Sequence, residues 1–200
     1  MHYVDHYASP LGRITLAGNG QELTGLWFDG QKYFGKVQEY EEKALPVFTV
    51  TKRWLDLYFS GSVPDFTPPL RIETTPFRKA VWEILLTIPY GKTMTYGEIA
   101  EKIAAQRGMA HMSAQAVGGA VGHNCISLII PCHRVVGTNG SLTGYAGGLE
   151  KKIKLLTLEK ADLSTFFLPM KGTALSEKPC IMRKFRNRLR SRHRSLKKEL

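Results

Sequence analysis

A cysteine followed directly by a histidine closes an apolar run, Ile126-Ser127-Leu128-Ile129-Ile130, in the order Pro131-Cys132-His133-Arg134. Proline fixes φ and has no N–H, so the chain should turn sharply there and hold the next residue in a defined position. A thiol beside an imidazole at the end of a buried segment suits nucleophilic chemistry, because the thiolate is the reactive form and a base can generate it. Adjacent side chains on an extended segment point apart, so a bridging water is one route for the proton. Further along, Leu149, Ile153 and Leu156 share one face of a helix expected from Leu149 to Lys160, with Glu150, Lys151, Lys152 and Lys154 pointing outward. One more step of i+3 reaches Glu159. A carboxylate on an inward face needs a partner, and His133 is the one that fits; a frayed helix end would instead leave Glu159 in solvent. The alternative reading of Cys132 is a small buried apolar thiol, which is the reading that fits Cys125.

The elements that must position these groups fall into two parts. Residues 3–28 read as antiparallel strands, with Ile14, Leu16, Leu23 and Leu26 among polar residues and a turn at Gly18-Asn19-Gly20. Phe48 to Phe59 carries Val50, Trp54, Leu57 and Tyr58 at helical spacing, and Gly61-Ser62-Val63-Pro64 ends it. This first part holds no catalytic constellation, so a structural role is expected. The second part opens at Thr75-Pro76, a cap followed by a proline suited to the first helical position. Phe77, Val81, Leu85 and Ile88 then mark one helix face. Thr95-Tyr96-Gly97-Glu98 is a capping-box pattern for a second helix through about Ala105. Ser113 can cap a third, Ala114 to Gly122, with Val117 and Val121 inward. Three short helices fit a helix-turn-helix variant and equally an ordinary bundle, and the connector from Gln106 to Met112 exceeds the usual turn. The third helix is nearly bare, which suits close approach of its backbone to a neighbouring helix or to a DNA groove. Gly137 to Gly148 reads as a loop that carries one large aromatic, Tyr145; it can wall a pocket or be a plain surface loop.

Bulk properties narrow the classes. The 200 residues carry 43% hydrophobic side chains, enough for a substantial core in one domain or two small ones. No apolar stretch approaches the length of a membrane span, and the N-terminus lacks the pattern of a secretory signal. Cys125, Cys132 and Cys180 are too few and too scattered for a disulfide framework, and no CxxC pair suggests zinc. A cytoplasmic protein is expected, nuclear if the source has a nucleus. The net charge of +11 is uneven: residues 171–200 hold 11 Lys and Arg against 2 Asp and Glu, leaving 17 against 15 elsewhere. That basic tail is expected to be disordered alone and to favour polyanions without sequence preference.

Pro-Cys-His-Arg-Val at 131–135 resembles the signature of the O6-alkylguanine-DNA alkyltransferases. Tyr96-Gly97-Glu98-Ile99-Ala100, Ala116-Val117-Gly118-Gly119-Ala120, Asn124, Gly144-Tyr145-Ala146-Gly147-Gly148 and Leu155-Leu156 followed by Glu159 extend the resemblance in order and spacing, from about Tyr3 to about Leu175. It implies an α+β chain: a small N-terminal α/β, ribonuclease H-like domain over 1–72, a mostly helical winged-helix or helix-turn-helix-like active-site domain over 73–170, and the tail 171–200. It implies direct, single-turnover repair in which the alkyl group of O6-alkylguanine, and of O4-alkylthymine, passes irreversibly to Cys132 after the base is flipped from the minor groove of double-stranded DNA. His133 would deprotonate Cys132 through a water, Glu159 would orient His133, and Asn124 would act as the hinge joining helix to active-site segment. Tyr96 would hydrogen-bond guanine N3, and Tyr145 would wall the pocket. The backbone N–H of Ala146, where many relatives have serine, would contact O6, while the carbonyls of Cys132 and Val135 would read the exocyclic amine. Ser113, Ala114, Ala116 and Gly118 would line the DNA face beside Arg134, with Gln115 where many relatives place an arginine that fills the gap left by the flipped nucleotide. Cys125 stands where proline is common. No cofactor is implied; some relatives carry zinc in the first part, but residues 1–75 contain no cysteine and only His2 and His6, so no metal is expected. A monomer with no membrane contact is expected. The competing readings are a relative that binds alkylated DNA without chemistry, against which Cys132, His133 and Glu159 speak directly, a cysteine hydrolase, for which no oxyanion-hole motif is present, and a regulator that senses its own alkylation, for which the chain has no room for an extra DNA-binding module.

Overall fold

The computed structural model describes residues 2–35 and 40–168; the basic tail and Cys180 lie outside the described residues. Three strands open the chain, β1 (His2–Ser9), β2 (Gly12–Gly18) and β3 (Leu23–Phe28), and a short β4 (Tyr40–Glu42) completes a sheet of order β3-β2-β1-β4. The first three pair antiparallel, as the short turns between them require, whereas β4 runs parallel to β1. β2 buries its last five residues. Its Ile14 and Leu16 join the main core while Ala17 packs with Val4 and Trp27 in a smaller cluster. Helix α1 (Pro46–Phe59) lies against this sheet and buries Val47, Phe48, Trp54, Leu55 and Tyr58.

The second part follows its sequence signals closely. In α2 (Pro76–Leu86) the Thr75 side chain accepts from Arg78 N–H and Pro76 occupies the first turn. In α3 (Tyr96–Gln106) both halves of the capping box form: Thr95 Oγ1 accepts from Glu98 N–H at 3.1 Å, and Glu98 Oε2 from Thr95 N–H at 2.6 Å. Helix α4 (Ala114–Gly122) is capped by Ser113 and turns Val117, Ala120 and Val121 inward. The three helices pack together, and the Trp82 indole N–H donates to Ala120 O at 2.9 Å, fixing α2 to α4. Ser113, Ala114, Gln115 and Ala116 are left on the outer surface.

Strand pairing joins the two parts at one place and holds the second part together at another. Leu26 N–H donates to Cys125 O and Ser127 N–H to Leu26 O, so the segment after α4 extends the edge of the sheet at β3. A two-residue parallel pair, β5 (Met94–Thr95) with β6 (Val135–Val136), sets the start of α3 beside the residues that follow Cys132. One core cluster therefore runs from Ile14 and Leu26 through Trp82 and Leu85 to Ile130, Cys132 and Leu155. Helix α5 (Leu149–Leu158) closes the fold. It stops two residues short of the expected end because Lys160 takes a left-handed φ of 56°, leaving Glu159 as the cap.

Candidate active site

Cys132 sits in a single turn of 3-10 helix, Cys132–Arg134, at the sharp turn expected after Pro131. Pro131 supplies the bend, and the tighter turn satisfies the backbone: Arg134 N–H donates to Pro131 O and Val135 N–H to Cys132 O. The thiol is 3% exposed. Burial pushes its pKa up, and the Asn124 amide, whose Nδ2 donates to Sγ at 3.1 Å, and the charge of Lys152 pull the other way. Asn124 is itself buried and also reaches Ile126 O and Ile130 O, while its Oδ1 accepts from Ile126 N–H. It thus joins the end of α4 to the cysteine turn.

His133 and Glu159 meet as the pairing argument requires. His133 Nε2 lies 2.6 Å from Glu159 Oε1, both side chains fully buried. Glu159 is not frayed into solvent. Its Oε1 also accepts from Tyr58 hydroxyl at 2.7 Å and Arg134 Nη2 at 3.0 Å, and its Oε2 from Arg134 Nε at 2.8 Å and Gly91 N–H at 3.1 Å. Burial alone would raise the Glu159 pKa, but the hydrogen bonds and charges of His133 and Arg134 outweigh it and hold the carboxyl well below the usual range. An ionised carboxylate only accepts, so Nε2 of His133 must carry the proton it shares. Burial, with help from Arg134 and Lys152, holds the imidazole pKa below its ordinary value against the pull of Glu159. The ring is therefore neutral, with its lone pair on Nδ1. That atom is buried and has no hydrogen-bond partner among the described residues.

Two tyrosines stand near Cys132. Tyr96 hydroxyl donates to Gly144 O at 3.3 Å and to Thr143 O at 3.4 Å, tying α3 to the loop expected over 137–148. The approach depends on Gly144, whose φ is +70° and where a Cβ would stand 2.5 Å from the Tyr96 hydroxyl. Burial and the nearby Cys132 raise the Tyr96 pKa to about 12, so it stays a donor. Tyr145 is buried with its ring edge-on to His133 at 6.3 Å, and its hydroxyl has no partner among the described residues. Ala146 is half-buried and its carbonyl accepts from Lys32 N–H of the first part.

Lys152 corrects one expectation. It does not point outward: it is 0% exposed, and its Nζ donates to Val135 O at 2.5 Å and Thr143 O at 2.6 Å. Its position, three after Leu149 and four before Leu156, places it on the inward face; only its residue type argued for solvent. Burial lowers its pKa to about 8, partly offset by Cys132. Tyr58 is the second residue that sequence reasoning missed. The helical spacing marked it as core, and a buried tyrosine hydroxyl does seek a partner, but nothing in the sequence pointed to Glu159.

The structure thus brings together Cys132, His133, Glu159, Asn124, Arg134, Val135, Tyr96 and Tyr145. Ser113, Ala114, Gln115 and Ala116 stand apart on the exposed end of α4, with Gly118 against the Tyr96 ring between the two groups. Cys125 is half-buried, and burial raises its thiol to about 11. Among the described residues no cluster of His, Cys, Asp and Glu is suited to a metal.

Two family models match the chain: the 6-O-methylguanine DNA methyltransferase ribonuclease-like domain over residues 2–72 and the DNA-binding domain of the same family over residues 76–161. A methylated-DNA–protein-cysteine methyltransferase of Haemophilus influenzae is 42% identical over 159 residues, covering 79% of this chain and 86% of that protein. The Mycobacterium bovis protein of the same name is 44% identical over 162 residues, covering 79% and 94%. Among solved structures, a Mycobacterium tuberculosis O6-methylguanine methyltransferase aligns with a TM-score of 0.70 at 43% identity, covering 80% of this chain and 93% of the other. A Mycobacterium tuberculosis OGT in complex with DNA aligns with a TM-score of 0.71 at 41% identity, covering 82% and 98%. With both parts matched and the buried thiol, imidazole and carboxylate in place, the chain belongs to the 6-O-methylguanine DNA methyltransferase family.

Proposed function

We propose that this protein repairs O6-alkylguanine in double-stranded DNA by moving the alkyl group onto Cys132, once per molecule. The observation that carries the proposal is a buried thiol next to an imidazole whose Nδ1 has no partner among the described residues while its Nε2 is held by Glu159. The Cys132 proton passes through a water to Nδ1 of His133, and Glu159 stabilises the imidazolium. The thiolate attacks the alkyl carbon; the S–C bond forms as the C–O6 bond breaks, and its electron pair passes to the purine. Tyr96 offsets that charge through a hydrogen bond to N3, and the proton held on His133 balances the one the guanine takes up from solvent. The thioether has no route back to a thiol, so turnover ends there. O4-alkylthymine offers the same alkyl–oxygen bond and is the second substrate.

A thiol this buried cannot reach a stacked base, so the damaged nucleotide must leave the duplex. Helix α4 is the element proposed to enter the minor groove. A Cβ added at Gly119 would meet nothing within 4 Å; internal packing does not require glycine there, whereas approach to an outside surface would. Gln115, exposed at the start of α4, would occupy the gap left by the flipped nucleotide without bringing charge. Arg134 serves differently from the expected DNA contact: its guanidinium is committed to Glu159 and to Ile88 O. Among the described residues no helix is long and apolar enough to cross a membrane, and a monomer acting where the DNA is, in cytoplasm or nucleus, fits the proposal.

The test is a duplex carrying O6-methylguanine mixed with the protein, followed by intact mass and by DNA repair. One methyl gained per protein, lost in Cys132→Ala and kept in Cys125→Ala, is the expected result. Sustained turnover, or binding with no transfer, would overturn it; the second outcome is that of a lesion-binding protein.

A further inference from the structure

The network around His133 does not close within the second part. Tyr58 comes from α1, seventy-five residues before His133 in the chain, and it is 1% exposed. Its hydroxyl donates to Glu159 Oε1 at 2.7 Å and stands 3.3 Å from His133 Nε2. Oε1 is the same oxygen that holds the imidazole. Trp54 stacks on the Tyr58 ring at 5.3 Å and 9°, and Phe59 and Tyr90 meet it edge-on, so the phenol has a fixed direction. Burial and Glu159 raise its pKa well above the ordinary value, which keeps it a proton donor throughout the working range.

We infer that Tyr58 is a positioning residue for the alkyl transfer, by which the first part of the chain sets the orientation and proton affinity of the His133–Glu159 pair. The inference rests on the alkyl-transfer reading of that pair. Tyr58 acts through Glu159 and touches neither sulfur nor substrate. Its hydrogen bond withdraws negative charge from Oε1, so the carboxylate orients the ring without driving His133 to the cationic form. The other titratable or charged groups facing His133 are Cys132 and Arg134 beside it, Tyr145 from the loop, Lys152 and Glu159 from the last helix and its cap, and Tyr90 behind Arg134. Besides His133 itself, Oε1 accepts from the neutral Tyr58 and the charged Arg134.

The test is Tyr58→Phe, which removes one oxygen and keeps the ring, with Val47→Ala, buried in the first turn of the same helix and eleven residues from the phenol, as a packing control. Single-turnover transfer in Tyr58→Phe should slow about tenfold, the lower end of what is lost when the outer hydrogen-bonding partner of a metal-bound histidine is removed, with DNA affinity unchanged. The His133 ring, followed by nitrogen NMR without any substrate, should titrate at higher pH than in the unsubstituted protein, and the acid limb of the rate profile should move the same way. Val47→Ala should lower thermal stability while leaving rate and titration alone. Equal rates and titration for Tyr58→Phe and the unsubstituted protein would overturn the inference, as would an equal shift in Val47→Ala. If the unsubstituted protein transfers no alkyl group, the alkyl-transfer reading fails, and the NMR titration still decides whether Tyr58 governs His133.

Discussion

Glu159 is surrounded by donors, and removing its charge strands them. Glu159→Gln leaves Arg134 without its carboxylate and His133 without a purely accepting partner, so a loss of about 3–5 kcal/mol in a urea titration is expected, the cost of breaking a buried ion pair from one side. The pH dependence follows from the same group. Its folded pKa is depressed, so its stabilisation is present above the unfolded value near 4.3 and is lost as pH falls from there towards the folded one. The urea midpoint should therefore drop below about pH 4.5, and less steeply in Glu159→Gln. For the reaction, the depressed pKa of His133 keeps the base neutral at pH 7. The transfer rate should stay level as pH falls to about 6.5, the ordinary histidine value, and decline only below it. His133→Ala should slow transfer at least about 100-fold while DNA affinity holds, since a positioned general base contributes about that much; equal losses would mark a structural residue. The histidine and carboxylate were legible because an inward charge at helical spacing demands a partner. Lys152 was not, because the pattern that placed it inward ran against the ordinary behaviour of lysine, and only two backbone carbonyls converging on one point make its burial tolerable.

Elements differ in the same way in how much of them the chain announces. The caps at Thr75, Thr95 and Ser113 form as the side chains dictate, because the signal and its partner lie within three residues. The pairings β1–β4 and β5–β6 had no such signal: strands of two or three residues show no period, and their partners lie about 40 residues away. Yet β5–β6 is what places α3, and so Tyr96, beside the cysteine turn. Two glycine substitutions separate the demands on these elements. Gly119→Leu meets open space within the protein, and leucine is a better helix former by up to about 1 kcal/mol. Stability should hold or rise by calorimetry, while affinity for an O6-methylguanine duplex falls about tenfold or more in a fluorescence titration. Undiminished affinity would remove α4 from the DNA interface. Gly144→Ala meets the opposite situation, a left-handed backbone and the Tyr96 hydroxyl at 2.5 Å. Stability and transfer rate should fall together, because the loop must shift away from the tyrosine it helps to hold.

On the scale of the whole molecule, the two family domains share one interior. The core cluster contains Leu26 and Phe28 from the sheet, Tyr58 from α1, Val81 and Leu85 from α2, and Ile126, Leu128 and Ile130 from the segment leading to Cys132. Backbone hydrogen bonds cross between the parts at Leu26 with Cys125 and Ser127, and at Lys32 with Ala146. The ion-pair network around Glu159 crosses as well, through Tyr58. Separating the parts would expose to water the buried side chains of Ile126, Leu128, Ile129 and Ile130, each worth about 1.5–3 kcal/mol when fully buried. Against a typical total stability of about 5–15 kcal/mol, neither part has enough left to remain folded when the other melts. Calorimetry should therefore show a single transition whose van't Hoff and calorimetric enthalpies agree. A hinge-like arrangement, in which the first part is a passive appendage, would give two transitions, with the sheet melting while Cys132 could still be alkylated. Leu26→Ala sharpens the distinction: buried leucine truncation costs about 2–5 kcal/mol, and in one cooperative unit it lowers the melting of the cysteine turn as much as that of the sheet. Amide exchange at Cys132 and at Ile14, read in the same sample, should accelerate by the same factor; protection lost at Ile14 alone would mean that the catalytic half stands by itself.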